Sequence, residues 1–211
     1  MITGYVYLRL NRLKISSTKE LPESRPQFLA GDLALDFLNT RMRVGGEVTD
    51  FLESDEDVLA WLEQAEVSSS KVCKTGSLSL LHVARLLREN IRSLVEKRKA
   101  GVRGDPSLLN RFLDHAKSRP LLVWKKPRSL TIERIRQQDT PEAVLAPVAE
   151  AAAILLATAD FNLVKRCEDE TCVLWFWDQT KSHHRRWCST RLCGNRHKVA
   201  AYRKRRRPKG T

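Results

Sequence analysis

The chain has 211 residues, 38 Lys+Arg against 25 Asp+Glu, and a formal net charge of +13. With 42% hydrophobic residues it holds apolar material for one or two folded domains, which excludes disorder over its whole length. The charge is uneven: 12 basic and no acidic residues lie between Lys181 and Thr211, leaving 26 basic against 25 acidic in residues 1–180. A near-neutral body thus carries a strongly cationic end, and such an end selects a polyanion as partner.

The most apolar stretch, residues 143–159, contains Pro147 and Glu150 and falls short of the roughly 20 clean apolar residues of a membrane span. Arg9 and Arg12 interrupt the N-terminal run before an apolar signal core forms, so the expected compartment is the cytoplasm. Residues 1–27 mix a short alternating run, Tyr5 to Leu10, with polar, Pro-containing sequence, and are expected to be a weakly ordered extension or an edge strand.

From Phe28 the pattern becomes regular. Leu33, Phe37 and Leu38 recur at helical spacing after Gly31-Asp32, and Gly45-Gly46 marks a turn. Ser54 with Asp57 has capping-box spacing and opens a helix whose apolar stripe is Val58, Leu59, Trp61, Leu62 and Ala65. The longest helix is predicted from about Ser79 to Ala100, with Leu80, Val83, Leu87, Ile91, Leu94 and Val95 facing the core and Gly101 as its stop. Asp105-Pro106 predicts an N-cap and first helical residue for a helix carrying Leu108, Leu109, Phe112, Leu113 and Ala116. Leu121–Lys125 and Ser129–Ile135 read as a hairpin, the second strand half-buried because Leu130 and Ile132 alternate with Thr131 and Glu133. Thr140-Pro141 starts a helix to Leu156, kinked or broken at Pro147, where the proline removes a ladder bond.

Four of the five cysteines, Cys167, Cys172, Cys188 and Cys193, follow the pattern C-x4-C-x15-C-x4-C. Two close pairs joined by a longer connection suit one tetrahedral zinc ion, each pair reaching the metal at about 2.3 Å. Four thiolates close the coordination shell, so the zinc is expected to be structural. His183 and His184 are alternative ligands in what reads as a hairpin turn between Val173–Trp177 and Arg185–Trp187. Asp178 is either a carboxylate supporting the metal site or an ordinary turn residue, and Cys73 stands alone in polar sequence. Zinc with four thiolates carries a formal charge of −2, so part of the neighbouring arginine charge can serve the cluster instead of a ligand.

Beyond Cys193, Gly194 permits a tight turn and Asn195 is a competent N-cap for a helix over residues 196–207, with Val199 and Ala200 turned to the finger and Tyr202 at its edge. In the body, Asp36, Asn39 and Thr40 share a helical face with Arg41 following, either lining a polar ligand pocket or bonding a neighbouring loop. His82 and His115 lack an evident carboxylate partner. The chain has no Gly-rich phosphate loop, nucleophile elbow or HExxH motif, and it is expected not to be an enzyme.

The run Arg185-Arg186-Trp187-Cys188-Ser189 with Cys193-Gly194-Asn195-Arg196 resembles the CGNR-type zinc finger, and Gly31-Asp32-Leu33-Ala34-Leu35-Asp36-Phe37-Leu38-Asn39-Thr40 with Leu59-Ala60-Trp61-Leu62 resembles the ABATE domain that precedes it in bacterial stress-response regulators. The likeness runs from about Phe28 to Arg207, with Thr190 where the family commonly has Met. It implies an α+β protein: a mainly helical sensor or dimerisation domain with a small antiparallel sheet over 28–160, then a small finger over 161–211, a β-hairpin followed by a basic helix. It further implies one structural zinc on the four cysteines and duplex DNA as the partner of Arg185, Arg186, Arg191, Arg196, Lys198, Arg203, Lys204, Arg206 and Arg207. A cytoplasmic, nucleoid-associated transcriptional regulator follows, with a small-molecule signal and a homodimer as further expectations. The competing readings are an RNA- or ribosome-associated zinc protein, its Trp175, Trp177 and Trp187 stacking on bases, and an enzyme with its site near Asp36 and Asn39.

Overall fold

A computed structural model describes residues 26–44, 46–67 and 79–206. The expectations for residues 1–25, Cys73 and Arg207 therefore lie outside the described residues. Helix α1 (Leu33–Leu38) is capped by Asp32, whose carboxylate accepts the Ala34 and Leu35 N–H groups at 2.9 and 3.2 Å. Six residues are too few for a helix to persist alone; residues 34–38 are all buried, and packing holds it. The chain then turns through β1 (Arg41–Val44) and β2 (Glu47–Asp50), an antiparallel hairpin in which Val44 pairs with Glu47. Only the turn was expected here, because Arg-Met-Arg-Val and Glu-Val-Thr-Asp are too short and too polar to show strand alternation.

Helix α2 (Asp55–Gln64) has the expected capping box, with Ser54 Oγ accepting from Asp57 N and Asp57 accepting from Ser54 N. Its Asp55 carboxylate also accepts the Leu81 N–H at 2.7 Å, adding a cap to α3 (Leu80–Lys99). Helix α3 runs from the Ser79 N-cap to the Ala100 C-cap, with Lys97, Arg98 and Lys99 against the negative end of its dipole. Helix α4 (Ser107–Asp114) starts one residue late: Asp105 accepts the Ser107 N–H, so Pro106 precedes the helix and Ala116 lies past its end.

Strands β3 (Ser118–Lys126) and β4 (Ser129–Arg136) form the predicted hairpin, but it is not half-buried. Leu130 and Ile132 are exposed because the ribbon stands out from the body. Helix α5 (Pro141–Thr158) begins at the Thr140 cap and passes through Pro147 unbroken. Length and apolar composition would let it cross a membrane. In this fold it packs instead against α1, α3 and α4, with Val144, Leu145, Val148, Ala149, Ala152 and Leu155 in the core.

One polar element runs through that core. The buried Arg88 of α3 donates to both Asp50 oxygens and, at 2.9 Å, to Thr40 Oγ1, which itself donates to the Phe37 carbonyl. Arg85 and Arg92, on the same stripe of α3, donate to the carbonyls of Leu52 and Leu38. Three arginines thus fasten the α1–β1–β2 loops to α3. Asp50→Ala leaves the buried Arg88 with only the half-exposed Glu89, 3.4 Å from its Nε, as counter-charge, and should cost about 3 kcal/mol in urea unfolding. Arg88→Met should cost less, because Asp50 is 26% exposed and can hydrate.

Candidate metal centre

Strand β5 (Val164–Arg166) pairs antiparallel with β6 (Trp175–Trp177), Val164 opposite Trp177. The first cysteine pair lies in the connection between them, Cys167 N donating to the Leu174 carbonyl and Cys172 N to the Asp169 carbonyl. The finger is a strand pair followed by a helix, as expected, but its strands differ. The partner of β6 precedes Cys167, and residues 178–189 return without a strand. The physical reason is that Trp177 N donates to Ala30 of the body, while Asp178 gathers the returning chain.

Cys188 and Cys193 are brought together by a π-helical turn (Thr190–Gly194), with Ser189 Oγ accepting the Arg191 N–H at 3.1 Å. Gly194 packs closely here: a Cβ would lie 3.4 Å from the Trp187 ring, at van der Waals contact. Helix α6 (Asn195–Arg206) continues directly from this turn, so Asn195 is helical and not the N-cap.

All four sulfurs are buried and lie within 4.8 Å of one another, with Cys172–Cys188 at 3.9 Å and Cys188–Cys193 at 3.6 Å. A tetrahedron with metal–sulfur bonds near 2.3 Å has edges of about 3.8 Å, so the four thiolates fit one structural zinc ion. Cys188 N donates to Cys167 Sγ at 3.3 Å, fixing the pairs relative to each other. Without a cation these thiols cannot all ionise. Hydrogen bonds from Cys172, Cys188 and Cys193 pull Cys167 far below the usual thiol range, and contacts with Cys167 and Cys172 push Cys188 and Cys193 far above it. A divalent ion removes that conflict. His183 and His184 are exposed and stand outside the cluster.

The surrounding charges are structural. Asp178 is fully buried. Burial alone would raise its carboxyl, but the Lys165 ammonium, Thr180 and the Arg185 N–H hold it well below the carboxylate range. Arg185 stacks over Phe176 at 4.2 Å and donates to the carbonyls of Trp187, Cys188 and Leu29. Expected at a nucleic-acid surface, it instead joins the finger to the body. Asp169, also buried, accepts from Thr171 and meets His197 at 3.0 Å and Arg196 at 3.7 Å, tying the first turn of α6 to the first knuckle. His197 stacks on Trp187 at 4.0 Å.

Beyond this anchor α6 projects. Val199 (47% exposed) and Ala200 face water and not the finger, contrary to expectation, and Tyr202 is 48% exposed, because only the first turn reaches the knuckle. Lys198, Arg203, Arg205 and Arg206 are exposed along it, and Arg191 is exposed on the π turn. Arg186 pairs with Glu168 and lies over Trp187, at the mouth of an open cleft of about 600 Å³ lined also by His184, Ser189 and Thr190.

Of the polar cluster of the body, Asp36, Asn39 and Thr40 are buried, and Arg41 is exposed, 4.0 Å from Glu89. Asp36 accepts the Leu29 and Ala30 N–H groups. Asn39 exchanges two hydrogen bonds with the Trp175 backbone, donating to its carbonyl at 2.8 Å and accepting its N–H at 2.9 Å. These residues bond neighbouring backbone, including the finger. Gly31, at φ +78°, makes the left-handed bend that sets its own carbonyl against Gln179.

The ABATE family model, described as "Putative stress-induced transcription regulator", matches residues 31–159, and the CGNR zinc finger model matches residues 164–206. No curated protein matches the chain significantly.

Elemental analysis should find one zinc per chain, and Cys188→Ser should reduce it to near zero; such sites contribute about 10–16 kcal/mol of binding energy in peptide fingers. The buried Trp175 then becomes wet, and its fluorescence should shift to the red. A second expectation concerns Asp36, whose carboxyl burial pushes up to about 7 against the pull of the Ala30 and Leu29 N–H groups. Folding takes up a proton between the unfolded value near 4 and this one. Stability relative to Asp36→Asn should therefore fall by up to about 1.4 kcal/mol per pH unit from pH 4 to 7 and stay level above, as read by urea unfolding.

Proposed function

Because the chain belongs to the ABATE family, we propose that it is a cytoplasmic transcriptional regulator that binds duplex DNA through its zinc finger and helix α6. The observation that carries this reading is the projecting helix. Residues 195–206 hold six Lys and Arg and no carboxylate, and all but the first turn stands in water. Like charges at i,i+3 and i,i+4 cost a few tenths of a kcal/mol each, and a polyanion turns that cost into attraction. The zinc fixes the knuckles, the Asp169 contacts fix the first turn of α6, and the remaining turns have the width of a major groove.

Arg186, Arg191, Lys198, Arg203 and Arg206, with Lys204 and Arg207 by sequence, supply the phosphate contacts; Arg185 is withdrawn from that set by its backbone bonds. Duplex DNA is favoured over single strands because Trp175 is buried, Trp177 is half-buried, and Trp187 is already stacked on His197 with Arg186 over its ring. The helical body then serves as the sensor of a stress signal, in contact with the finger through Asn39 and Trp175.

With about six to eight phosphates neutralised, log K should fall with log[salt] at a slope of roughly −5 to −7. Removing two cations by Arg203→Ala and Arg206→Ala should make the slope shallower by about 2 while zinc content stays at one per chain. A slope near zero, or preference for single strands in competition, overturns this reading.

A further inference from the structure

The β3–β4 ribbon presents its better apolar face to water. Leu122 lies opposite Ile132 and Trp124 opposite Leu130. Pleat alternation puts these four, with Pro120, on one face. Leu122 is 60%, Trp124 64% and Ile132 71% exposed, and Leu130 and Pro120 are exposed as well. Toward the tip the described side chains of that face are apolar; at its base Ser118 and Arg136 follow, with Arg136 held by Glu150 at 2.6 Å. The other face carries the charge, in the Lys125–Glu133 ion pair and Arg119, and it is the side on which Val123 and Thr131 are half-buried. A two-stranded ribbon with such a face in water is marginal by itself.

We propose that this face is covered by the same face of a second copy of the chain, the two ribbons packing front to front about a two-fold axis. Three observations select that occupant. The four large side chains expose about 500 Å² per copy, at the upper end of what a monomer leaves uncovered, and two copies bury about 1,000 Å², the size at which an interface becomes specific. The face is self-complementary: with a two-fold axis running across the strands, Leu122 of one copy meets Trp124 of the other and Ile132 meets Leu130, and each contact recurs in reverse. The charge argues against a polyanion or an anionic lipid surface, because Lys125, Lys126 and Arg128 sit together at the tip and Arg119 on the opposite face, while the cations that share the apolar face by register, Arg134 and Arg136, are at its base, Arg136 already paired with Glu150.

The tip also sets the orientation. With the two ribbons antiparallel, the cationic tips lie at opposite ends of a ribbon of about 30 Å, several Debye lengths apart. This association goes beyond DNA binding and stands without it.

Sedimentation velocity of the full-length, zinc-loaded protein tests the proposal. The wild type should be a dimer at micromolar concentration. Leu122→Glu with Ile132→Glu should give a monomer with unchanged zinc content and far-ultraviolet circular dichroism. Leu122→Thr with Ile132→Thr, which keeps strand propensity, should raise the dissociation constant at least about 100-fold, and guards against a charged variant that fails to fold. A wild-type monomer overturns the proposal, whether or not it floats with phosphatidylserine vesicles; so does a dimer that both variants leave intact. Salt-dependent DNA binding by such a monomer would leave the DNA reading standing while this one fails.

Discussion

The side-chain amide of Asn39 pairs with the backbone of Trp175 as a neighbouring strand would, and the joint between body and finger rests on that pair of bonds. Strand β6 has β5 on one side; on the other it finds Asn39 and the Ala30 carbonyl. The bonds are formed where water is absent, so leaving one unmade costs the full desolvation of the group it strands. The apolar core accordingly runs without a break from α5 through α1 to Val164, Trp175 and the cysteines. Two sequence modules are one packed body.

Charge is sorted by depth around this joint. Around the four cysteines the cations have fixed partners: Lys165 with Asp178, Arg185 with three backbone carbonyls, and Arg196 with Asp169, which the His197 ring also meets. The negative cluster and its buried carboxylates thus absorb part of the positive charge. Farther out, along α6, none of the described cations faces a carboxylate beyond the first turn. The raw excess of 12 charges in the last 31 residues overstates the outward field, and the portion that reaches solvent is concentrated on one projecting helix.

The sequence made local features plain. The Ser54 capping box, the Ser79–Ala100 helix and the Thr140-Pro141 start are set by neighbours within four residues, and each lies where its pattern puts it. The four cysteines were equally legible, because metal chemistry fixes residue type and spacing. What depends on distant partners was not. The first strand of the finger has three residues and precedes the first ligand, so the hairpin was expected on the wrong side of β6. The task of Arg185 depends on Leu29, 156 positions away, and that of Asn39 on Trp175, 136 positions away. The half-burial expected of β4 failed because alternation shows that a strand has an apolar face but not what covers it.

Helix α5 has a further consequence during synthesis. Before it is packed, this 18-residue helix is the most apolar of the longer described helices, which leaves it open to wrong partners. Yet α1, α3 and α4, the helices that cover it, all precede it. By the time Thr158 leaves the ribosome the helices that bury it have already been synthesised, so the segment meets its partners within its own chain. The finger follows, so the metal closes a structure whose most hazardous step is already past.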